Sequence, residues 1–304
     1  MGKVKGKLME KHHLWSKELE KQFFIDTLKI TSVDDLFYKS EDGTYYAYWP
    51  KGYSGKKSTL QSRNSYVGKF TESYVEELLS DFAKDMGYFS VRDVVCQEIG
   101  LPKKSPADVA ICKTNSKIQE PQNVVAIFEV KMSIVWNWKY DNGEIVCIGD
   151  YSTHQGTPSL LRSDSMLKAI GKAINIRISN KKAHNIPIFI LGNTPITPHY
   201  YEKVDNLKSS GIIQGFWSLN PKPLDNFVNP IESTDNFGFQ TIQSYKILLD
   251  LLTKIIGNKL QFFSSMMSKN ELGRIIKHAS QEGEEIKIAE KFLTLLWRNN
   301  EKEK

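Results

Sequence analysis

Apolar residues in 68–86 recur every three or four positions, which predicts an amphipathic helix that Gly87 ends. The apolar face of this helix consists of Phe70, Tyr74, Val75, Leu78, Leu79, Phe82 and Met86. Three short runs rich in β-branched residues follow, at 91–99, 107–113 and 123–131, and they predict three strands. A helix followed by three strands therefore opens the central part of the chain.

Helical and strand-like patterns alternate after the third strand. Residues 160–178 predict a helix, 188–191 a buried strand, 198–209 a helix and 212–218 another strand. The predicted buried face of the helix over 160–178 is Leu167, Ile170, Ile174 and Ile178. This order predicts an α/β (α+β) fold with a mixed central sheet flanked by helices.

The two ends of the chain differ from this central part. A helix is predicted over 7–30, and Asp42-Gly43 between aromatic runs predicts a hairpin. A Pro- and Asn-rich loop is predicted over 220–240, followed by a wholly helical tail over 241–298. The predicted regions are an N-terminal helix with an aromatic and basic hairpin at 1–67, a core at 68–220, and a loop with a helical C-terminal subdomain at 221–304.

The composition excludes several classes of protein. With 304 residues, 40% apolar and 25% charged, the chain resembles an ordinary globular protein. No apolar stretch approaches the roughly 18 residues of a membrane span, and the basic N-terminus lacks the apolar segment of a secretory signal. Cys96, Cys112 and Cys147 form no CxxC pair, so we expect no disulfide framework, no structural zinc and a cytoplasmic location.

Charge is distributed unevenly along the chain. Residues 1–70 carry 13 Lys and Arg against 8 Asp and Glu, residues 71–150 carry 8 against 13, and residues 151–191 carry 6 against 1. An acidic segment between two basic ones is compatible with ordinary surface variation. It is also the distribution expected of a carboxylate-rich metal site between surfaces that hold a polyanion.

The strongest candidate chemistry lies at the ends of two predicted strands. Asp108 follows Pro106 on one strand, and Glu129 and Lys131 end the next. Side chains alternate along a strand, so Glu129 and Lys131 share a face while Val130 points into the core. If the strands pair, Asp108 approaches Glu129, and a divalent cation would relieve the repulsion between the two carboxylates. Oxygen ligands favour Mg²⁺, and a nearby lysine suits metal-assisted hydrolysis of a phosphodiester.

The acid-x-Lys tripeptide by itself is weak evidence for a catalytic site, because it also occurs by chance. The chain contains a second copy, Glu285-Ile286-Lys287. That copy lies in a charged, helical stretch with no apolar strand before it, so it is interpreted as a solvated helix face. A salt-bridged strand end is the structural alternative for the copy at 129–131.

Pro106-x-Asp108, twenty intervening residues and Glu129-x-Lys131 resemble the motif of the PD-(D/E)XK nucleases. The order of elements is similar to the αβββαβ core of that superfamily, and Gly68-Lys69-Phe70-Thr71-Glu72 matches the helix that carries a glutamate in many type II restriction endonucleases. The resemblance covers roughly residues 68–191. It implies a restriction-endonuclease-like core that hydrolyses double-stranded DNA with Mg²⁺, as a homodimer and without a nucleotide cofactor.

The resemblance also implies roles for individual residues. Asp108 and Glu129 would be catalytic metal ligands, with Val130 in the same metal site, and Lys131 would position or activate water. Glu72 would be an accessory catalytic acid, for which Glu76 is the alternative. Glu98 is a further candidate acid, and each of these three glutamates has a solvated surface position as its structural alternative.

Polar and basic residues after these strands are candidates for DNA contact. The helix over 160–178 brings basic side chains that suit phosphate contact, and the loop over 150–165 brings donors that suit base edges. An ordinary exposed surface is the alternative for each. The predicted DNA-binding residues are His154, Gln155, Arg162, Ser163, Asp164, Lys168, Lys172 and Arg177.

Other functions of the same fold remain open from sequence. A DNA-repair or non-specific nuclease is one, although the Gln-x-x-x-Tyr motif typical of RecB-type nucleases does not follow the lysine strand. A catalytically inactive DNA-binding protein is another, and intact Asp108, Glu129 and Lys131 argue against it. The spacing of Gly52 and Gly55 does not match a P-loop, which disfavours an ATPase.

Overall fold

The structure is a computed structural model, and its chain contacts divide into two compact units, one up to residue 260 and one from residue 261. Within the described part of the chain, none of the helices combines the length and apolar content that a membrane span needs. The described residues are 13–57, 60–226, 231–258, 260–263 and 267–302.

The first unit contains six α-helices and ten strands among its described residues. The helices are α1 (Lys17–Thr27), α2 (Val33–Leu36), α3 (Gln61–Asp85), α4 (Ser163–Ser179), α5 (Tyr201–Ser209) and α6 (Tyr245–Ile256). The strands are β1 (Tyr38–Lys39), β2 (Tyr45–Tyr46), β3 (Phe89–Val94), β4 (Ala107–Cys112), β5 (Val124–Val130), β6 (Asn137–Asp141), β7 (Glu144–Gly149), β8 (Ile188–Gly192), β9 (Gly215–Ser218) and β10 (Phe239–Thr241).

A six-stranded mixed sheet with the order β10-β9-β8-β5-β4-β3 forms the centre of this unit. Strands β3, β4 and β5 pair antiparallel, whereas β5, β8, β9 and β10 pair parallel. The parallel step from β5 to β8 contains α4, as a crossover between parallel strands requires. The prediction of a mixed sheet flanked by helices is confirmed.

Each face of the central sheet is covered by a separate apolar core. Val109 and Phe128 point to the face that α3 covers, where Val75 and Leu79 pack against them. The residues that alternate with them point to the other face, where α4 contributes Met166, Ala169 and Ala173. Side chains on β4 and β5 therefore face either α3 or α4, and this choice decides which residues meet at the ends of the strands.

A second, four-stranded antiparallel sheet has the order β1-β2-β6-β7. The predicted Asp42-Gly43 hairpin is present, since β1 pairs with β2 and Gly43 has a φ of 83°. The β6–β7 hairpin was not predicted. Its turn, Asn142-Gly143, has positive φ at both residues, 47° and 89°, which is the conformation of a tight hairpin turn.

The second unit contains two helices among its described residues, α7 (Lys269–Ala279) and α8 (Glu285–Lys302). Ser268 caps α7 through a reciprocal pair of hydrogen bonds with Glu271, which defines the start of that helix. Phe263 and Phe292 make an edge-to-face contact, with ring centroids 5.6 Å apart.

Several predicted elements differ from the structure. Helix α1 begins at Lys17, after the N-cap Ser16, and residues 1–12 of the predicted N-terminal region lie outside the described residues. The prediction of a wholly helical tail is wrong, because α6 ends at Ile256 and α7 starts at Lys269. Strand β10 lies at the border of the predicted loop, where parallel pairing with β9 stabilises only three residues.

The predicted buried face of α4 is wrong at three of its four positions, and only Ile170 packs against the core. Leu167, Ile174 and Ile178 are exposed, by 61%, 38% and 75%. The helix instead turns Ala169 and Ala173 towards the sheet, and these small side chains allow its backbone to approach closely. This rotation places Lys172, rather than an apolar residue, at the edge of the buried face.

Candidate active site

Asp108 and Glu129 lie opposite each other on neighbouring antiparallel strands. In the register of these strands, Val109 pairs with Phe128. The preceding residue of β4 and the following residue of β5, Asp108 and Glu129, are therefore opposite each other. The backbone N–H of Val130 donates to Asp108 Oδ2 at 2.7 Å, which fixes the aspartate across the two strands. Both carboxylates therefore project from the same face of the sheet.

Lys131 folds back over both carboxylates. Its Nζ atom lies 2.6 Å from Glu129 Oε1 and 3.7 Å from Asp108 Oδ2. The side chain of Lys131 is 20% exposed and that of Glu129 only 7%, so the pair is largely removed from solvent. The predicted catalytic residues Asp108, Glu129 and Lys131 thus lie together at one end of β4 and β5.

A second lysine reaches the same carboxylates from helix α4. Lys172 Nζ lies 2.5 Å from Glu129 Oε2 and 3.3 Å from Asp108 Oδ1, and its side chain is 16% exposed. The sequence interpretation placed Lys172 on an exposed face for phosphate contact, and the helix rotation described above corrects that placement. Two carboxylates and two ammonium groups consequently form a compact cluster of balanced charge.

Burial and neighbouring charge shift the pKa values of Glu129 and Lys131 in this cluster. Burial, together with the neighbouring Asp108, raises the pKa of Glu129 above its usual range. Burial by itself would lower the pKa of Lys131, but the Glu129 and Asp108 carboxylates outweigh it and raise that pKa. The site therefore retains protons more tightly than free side chains would. A cation that replaces those protons would relieve the same repulsion.

Glu72 lies on α3, which covers the opposite face of the sheet from α4. Burial raises the pKa of Glu72 to about 7, and the nearby Asp108 and Asp93 carboxylates add to the shift. The negative charge of Asp108 therefore acts on Glu72, although the two residues belong to different faces of the sheet. Because α3 starts at Gln61, Glu72 lies within the helix instead of near its first turn.

The two other candidate glutamates form ion pairs away from the cluster. Glu76 accepts from Arg92 Nε at 2.6 Å. Glu98 lies in a short 3₁₀ turn and pairs with Lys182 Nζ at 2.5 Å, with half of the glutamate side chain exposed. Asp108 raises the pKa of Glu72 and Lys131 lowers it, so this glutamate is electrostatically linked to the cluster.

A hydrogen-bond network holds the backbone that carries Lys131. Ser159 Oγ donates to the Lys131 carbonyl at 2.6 Å and accepts from Asn193 N at 3.1 Å. Ser159 N donates to Ser133 Oγ at 2.7 Å, and Asn193 Nδ2 donates to the Ser133 carbonyl at 2.7 Å. Ser159 adopts a φ of 50°, which is a strained backbone conformation for serine. The hydrogen bonds of this network hold the residue in that conformation. Sequence reasoning missed these three residues, because no local pattern marks them.

Two predicted DNA-binding residues are instead buried in the fold. His154 is 2% exposed, stacks on Tyr48 with ring centroids 4.1 Å apart, and contacts the Val135 carbonyl at 3.1 Å. Arg177 is also 2% exposed and donates to the carbonyl groups of Ala183 and Ile186 at 2.6 and 2.8 Å. Because their polar groups are used internally, the predicted DNA contacts of His154 and Arg177 are corrected to structural roles.

The remaining predicted DNA-binding residues lie near the surface, in the loop before α4 and in the first turns of that helix. Arg162 forms a bidentate salt bridge with Asp164, with both N–O distances at 2.6 Å. The hydrogen bonds from Arg162 lower the pKa of Asp164 to about 2. Ser163 and Lys168 are exposed, and Lys168 approaches Asp164 at 3.5 Å. Gln155 donates through Nε2 to backbone carbonyls at 3.0 and 3.1 Å, so its amide N–H groups already have partners.

The carboxylates of Asp108 and Glu129 are the donors that this cluster offers to a metal ion. Among the described residues, no group of three or more His, Cys, Asp and Glu side chains is placed to hold one. Two carboxylates are nevertheless enough for Mg²⁺, which keeps several waters and uses one or two protein carboxylates. Glu129 Oε2 is buried and accepts no properly directed hydrogen bond, despite its close contact with Lys172. The hydrocarbon side chain of Val130 has no donor atom, so only its carbonyl oxygen could serve as a ligand.

The comparisons with known proteins found no matching family model, no matching curated protein and no matching solved structure.

Proposed function

We propose that this protein is a Mg²⁺-dependent endonuclease that hydrolyses phosphodiester bonds of double-stranded DNA, with the sequence-specific activity of a type II restriction enzyme and a PD-(D/E)XK core. The observation that carries the proposal is the convergence of Asp108, Glu129 and Lys131 at the ends of paired strands. These three side chains come from the two parts of the motif, and they meet on one face of the sheet.

The residues present suit a divalent cation. Asp108 and Glu129 would hold it, with the Val130 carbonyl beside them. Burial, followed by the neighbouring Asp108 carboxylate, raises the pKa of Glu129, and a bound cation would offset both effects. When bound, Mg²⁺ would supply charge stabilisation at the phosphate and lower the pKa of water.

The protein's own groups would then perform distinct tasks. The Lys131 ammonium, held by the Ser159 network through its backbone, would orient the attacking water or contact the scissile phosphate. Lys172 would neutralise Glu129 before DNA arrives and turn to the phosphate when a cation takes its place. Glu72 has a pKa of about 7 and would serve as a proton acceptor or donor at the edge of the site.

The DNA surface would be the region around the start of α4. Lys168 is 76% exposed there and suits contact with a phosphate. A homodimer is part of the proposal, since a duplex has two strands to cut and a palindromic site mirrors two-fold symmetry. Sedimentation of the protein with and without DNA tests that part.

Digestion of a plasmid of known sequence separates the proposed activity from its rivals. The purified protein is incubated with the plasmid in Mg²⁺, in Ca²⁺ and in EDTA, and the fragment ends are mapped. Discrete fragments formed only in Mg²⁺ support a site-specific endonuclease. A smear indicates a non-specific or repair nuclease of the same fold, and a mobility shift without cleavage in any condition indicates a DNA-binding protein.

A further inference from the structure

Two exposed lysines, Lys103 and Lys104, lie in a tight turn that shortly precedes Asp108 in the chain. Ser105 N donates to the Pro102 carbonyl at 2.9 Å, so residues 102–105 form a β-turn with both lysines at its two central positions. The turn therefore carries two positive charges at the surface, on the segment that leads into β4.

The backbone of this turn is fixed to the fold on both sides. Leu101 and Ala107 are fully buried, and Leu101 exchanges backbone hydrogen bonds with Cys96 at 2.9 and 3.1 Å. Pro102 and Pro106 restrict the backbone on either side of the two lysines. Because the backbone is already ordered, a ligand of the lysines would cost little further loss of backbone freedom.

The loop that contains the turn connects to both elements that supply the carboxylate cluster with residues from outside β5. It leads directly into β4, which carries Asp108. Asn175 Nδ2 donates to the Gly100 carbonyl at 3.1 Å, and Asn175 lies on α4, three residues after Lys172. An extended chain spans at most about 3.6 Å per residue, so the Cα atom of Lys104 lies within about 14 Å of that of Asp108. The two lysines are therefore close to the proposed site of hydrolysis.

The positive charge of the turn is not neutralised by the protein. The cluster itself pairs two carboxylates with two ammonium groups. Glu98, the acidic residue of the loop over 95–106, is already paired with Lys182 at 2.5 Å. In the part of the chain that the structure describes, neither Lys103 nor Lys104 has an ion pair or a side-chain hydrogen bond. Both charges are consequently available to an anion from outside.

The backbone of DNA matches a pair of exposed lysines beside a site for phosphodiesters. Each strand carries one negative charge per roughly 3.4 Å of helix axis, so two adjacent lysines can contact neighbouring phosphates. Lysine contacts of this kind fix the position of a duplex on a protein without reading its bases. The distance limit from Asp108 places the contacted phosphates within about five nucleotides of a phosphate at the cluster.

We propose that the Lys103–Lys104 turn binds the phosphate backbone of DNA beside the bond that is cut, and so positions the duplex against the carboxylate cluster. The inference rests on the proposed function, because it takes the substrate of that function as the partner. It adds to the exposed start of α4 a second contact with the backbone, on the side of the cluster where β4 begins.

The test measures binding of a labelled duplex to the full chain by fluorescence anisotropy, in Ca²⁺ and at several KCl concentrations. Each phosphate contact contributes about 0.9 to the slope of log K against log salt. The double variant Lys103→Gln/Lys104→Gln should therefore reduce that slope by about two units and weaken binding about tenfold at low salt. The loss should be equal on duplexes of different sequence, because contacts with phosphates carry no base information.

The double variant Lys84→Gln/Lys113→Gln is the matched control, since it also removes two exposed lysines. Lys84 lies in the last turn of α3, and Lys113 follows β4 at the end of the sheet opposite to Asp108. This variant should keep the slope and the affinity of the wild type. An unchanged slope in Lys103→Gln/Lys104→Gln, or the same reduction in both double variants, would overturn the proposal.

A second arm locates the contact on the DNA once the fragment ends have been mapped. Single phosphates around the cut are replaced by neutral methylphosphonates. At one or two positions within about five nucleotides of the cut, the wild type should lose affinity at least threefold, whereas Lys103→Gln/Lys104→Gln should lose no more. Equal sensitivity of the two proteins at every position would overturn the placement beside the cut.

The outcomes separate this inference from the proposed function. A wild type that cuts DNA while the two double variants bind it equally well contradicts the inference alone. A wild type that binds no DNA contradicts both. Binding without cleavage contradicts the proposed function and the placement beside a cut, and the salt slopes then still decide whether the turn binds phosphates.

Discussion

Lys172 on helix α4 and Glu129 on strand β5 form a close ion pair, with Nζ 2.5 Å from Oε2. Glu129 also contacts Lys131 through its other oxygen, so this buried carboxylate lies between two ammonium groups. A divalent cation at Glu129 would compete with Lys172 for Oε2. If the proposed Mg²⁺ site exists, the position of Lys172 would therefore link the stability of the free protein to its affinity for metal.

Replacing Lys172 with Met should lower the melting temperature of the metal-free protein, because it leaves a buried carboxylate with one partner fewer. Added Ca²⁺ should then stabilise the variant by more degrees than it stabilises the wild type, and Mg²⁺-dependent cleavage should fall about 100-fold. Thermal unfolding with and without Ca²⁺ measures the first effect. Lys168→Met, one turn earlier and 76% exposed, is the control for stability and should change neither the melting temperature nor its rise in Ca²⁺. Equal Ca²⁺ shifts in Lys172→Met and wild type would contradict the competition.

The two acid-x-Lys tripeptides should respond differently to loss of the lysine. Lys131→Met should lower the rate of cleavage by about 100-fold or more, since in the proposed mechanism its ammonium would act where charge develops. Lys287 is 58% exposed on α8 and pairs with Glu284 at 2.9 Å, so Lys287→Met should leave the rate unchanged. Single-turnover cleavage of a plasmid measures both, and similar losses in the two variants would refute the distinction.

The network around Ser159 should support both folding and activity. Ser159→Ala removes a donor to the Lys131 carbonyl and an acceptor of the Asn193 N–H, which should cost about 1–3 kcal/mol of unfolding free energy. Urea unfolding measures this loss, and the cleavage rate should fall with it because Lys131 is less firmly held. Ser209→Ala, at an exposed position, should stay within about 0.5 kcal/mol of wild type. A Ser159→Ala protein of unchanged stability would show that the network is dispensable.

Glu20 predicts a dependence of stability on pH. Its carboxylate is completely buried and accepts from Val135 N at 2.8 Å, Trp136 N at 2.9 Å, Trp138 Nε1 at 2.8 Å and Trp15 Nε1 at 3.2 Å. Burial outweighs these donors and raises the pKa of Glu20 to about 7. The folded state thus binds this proton more tightly than the unfolded state, whose pKa is near 4.5. Stability from this group is fully present below the unfolded pKa and is lost as pH rises through the folded pKa.

The free energy of unfolding should fall by about 3 kcal/mol between pH 4.5 and pH 7 because of this group, with little further change above pH 7. Glu20→Gln cannot titrate, so the difference in unfolding free energy between wild type and variant should shrink across that interval. Urea unfolding at a series of pH values gives the difference directly. Parallel pH profiles for the two proteins would contradict a raised pKa at Glu20.

The central sheet and the charged strand ends were accessible from sequence because both depend on local patterns. Alternation along β4 and β5 is visible in the apolar runs, and neighbouring antiparallel strands bring Asp108 and Glu129 face to face. The β6–β7 hairpin also had a local signal in Asn142-Gly143. That turn signal predicts the hairpin by the same reasoning that identified Asp42-Gly43.

The roles of the basic residues on α4 could not be obtained in this way. Large apolar residues dominate any helical pattern, yet close packing of Ala169 and Ala173 against the sheet sets the rotation of this helix. That rotation directs Lys172 to the carboxylates. Arg177 is buried by carbonyl groups from segments that follow the helix, and no periodicity predicts such a partner. In the sequence, Lys172 and Arg177 therefore looked like members of an exposed basic helix face.

The most direct measurement is plasmid cleavage in Mg²⁺ by Asp108→Asn, paired with DNA binding in Ca²⁺. Asp93→Asn is the matched control, since Asp93 lies on the adjacent strand, pairs with Lys117 at 2.6 Å and is half exposed. Wild type and Asp93→Asn should cut the plasmid into discrete fragments, whereas Asp108→Asn should bind DNA but not cut it. Cleavage by Asp108→Asn at the wild-type rate, or none by the wild type, would contradict the assignment of a nuclease site to the ends of β4 and β5.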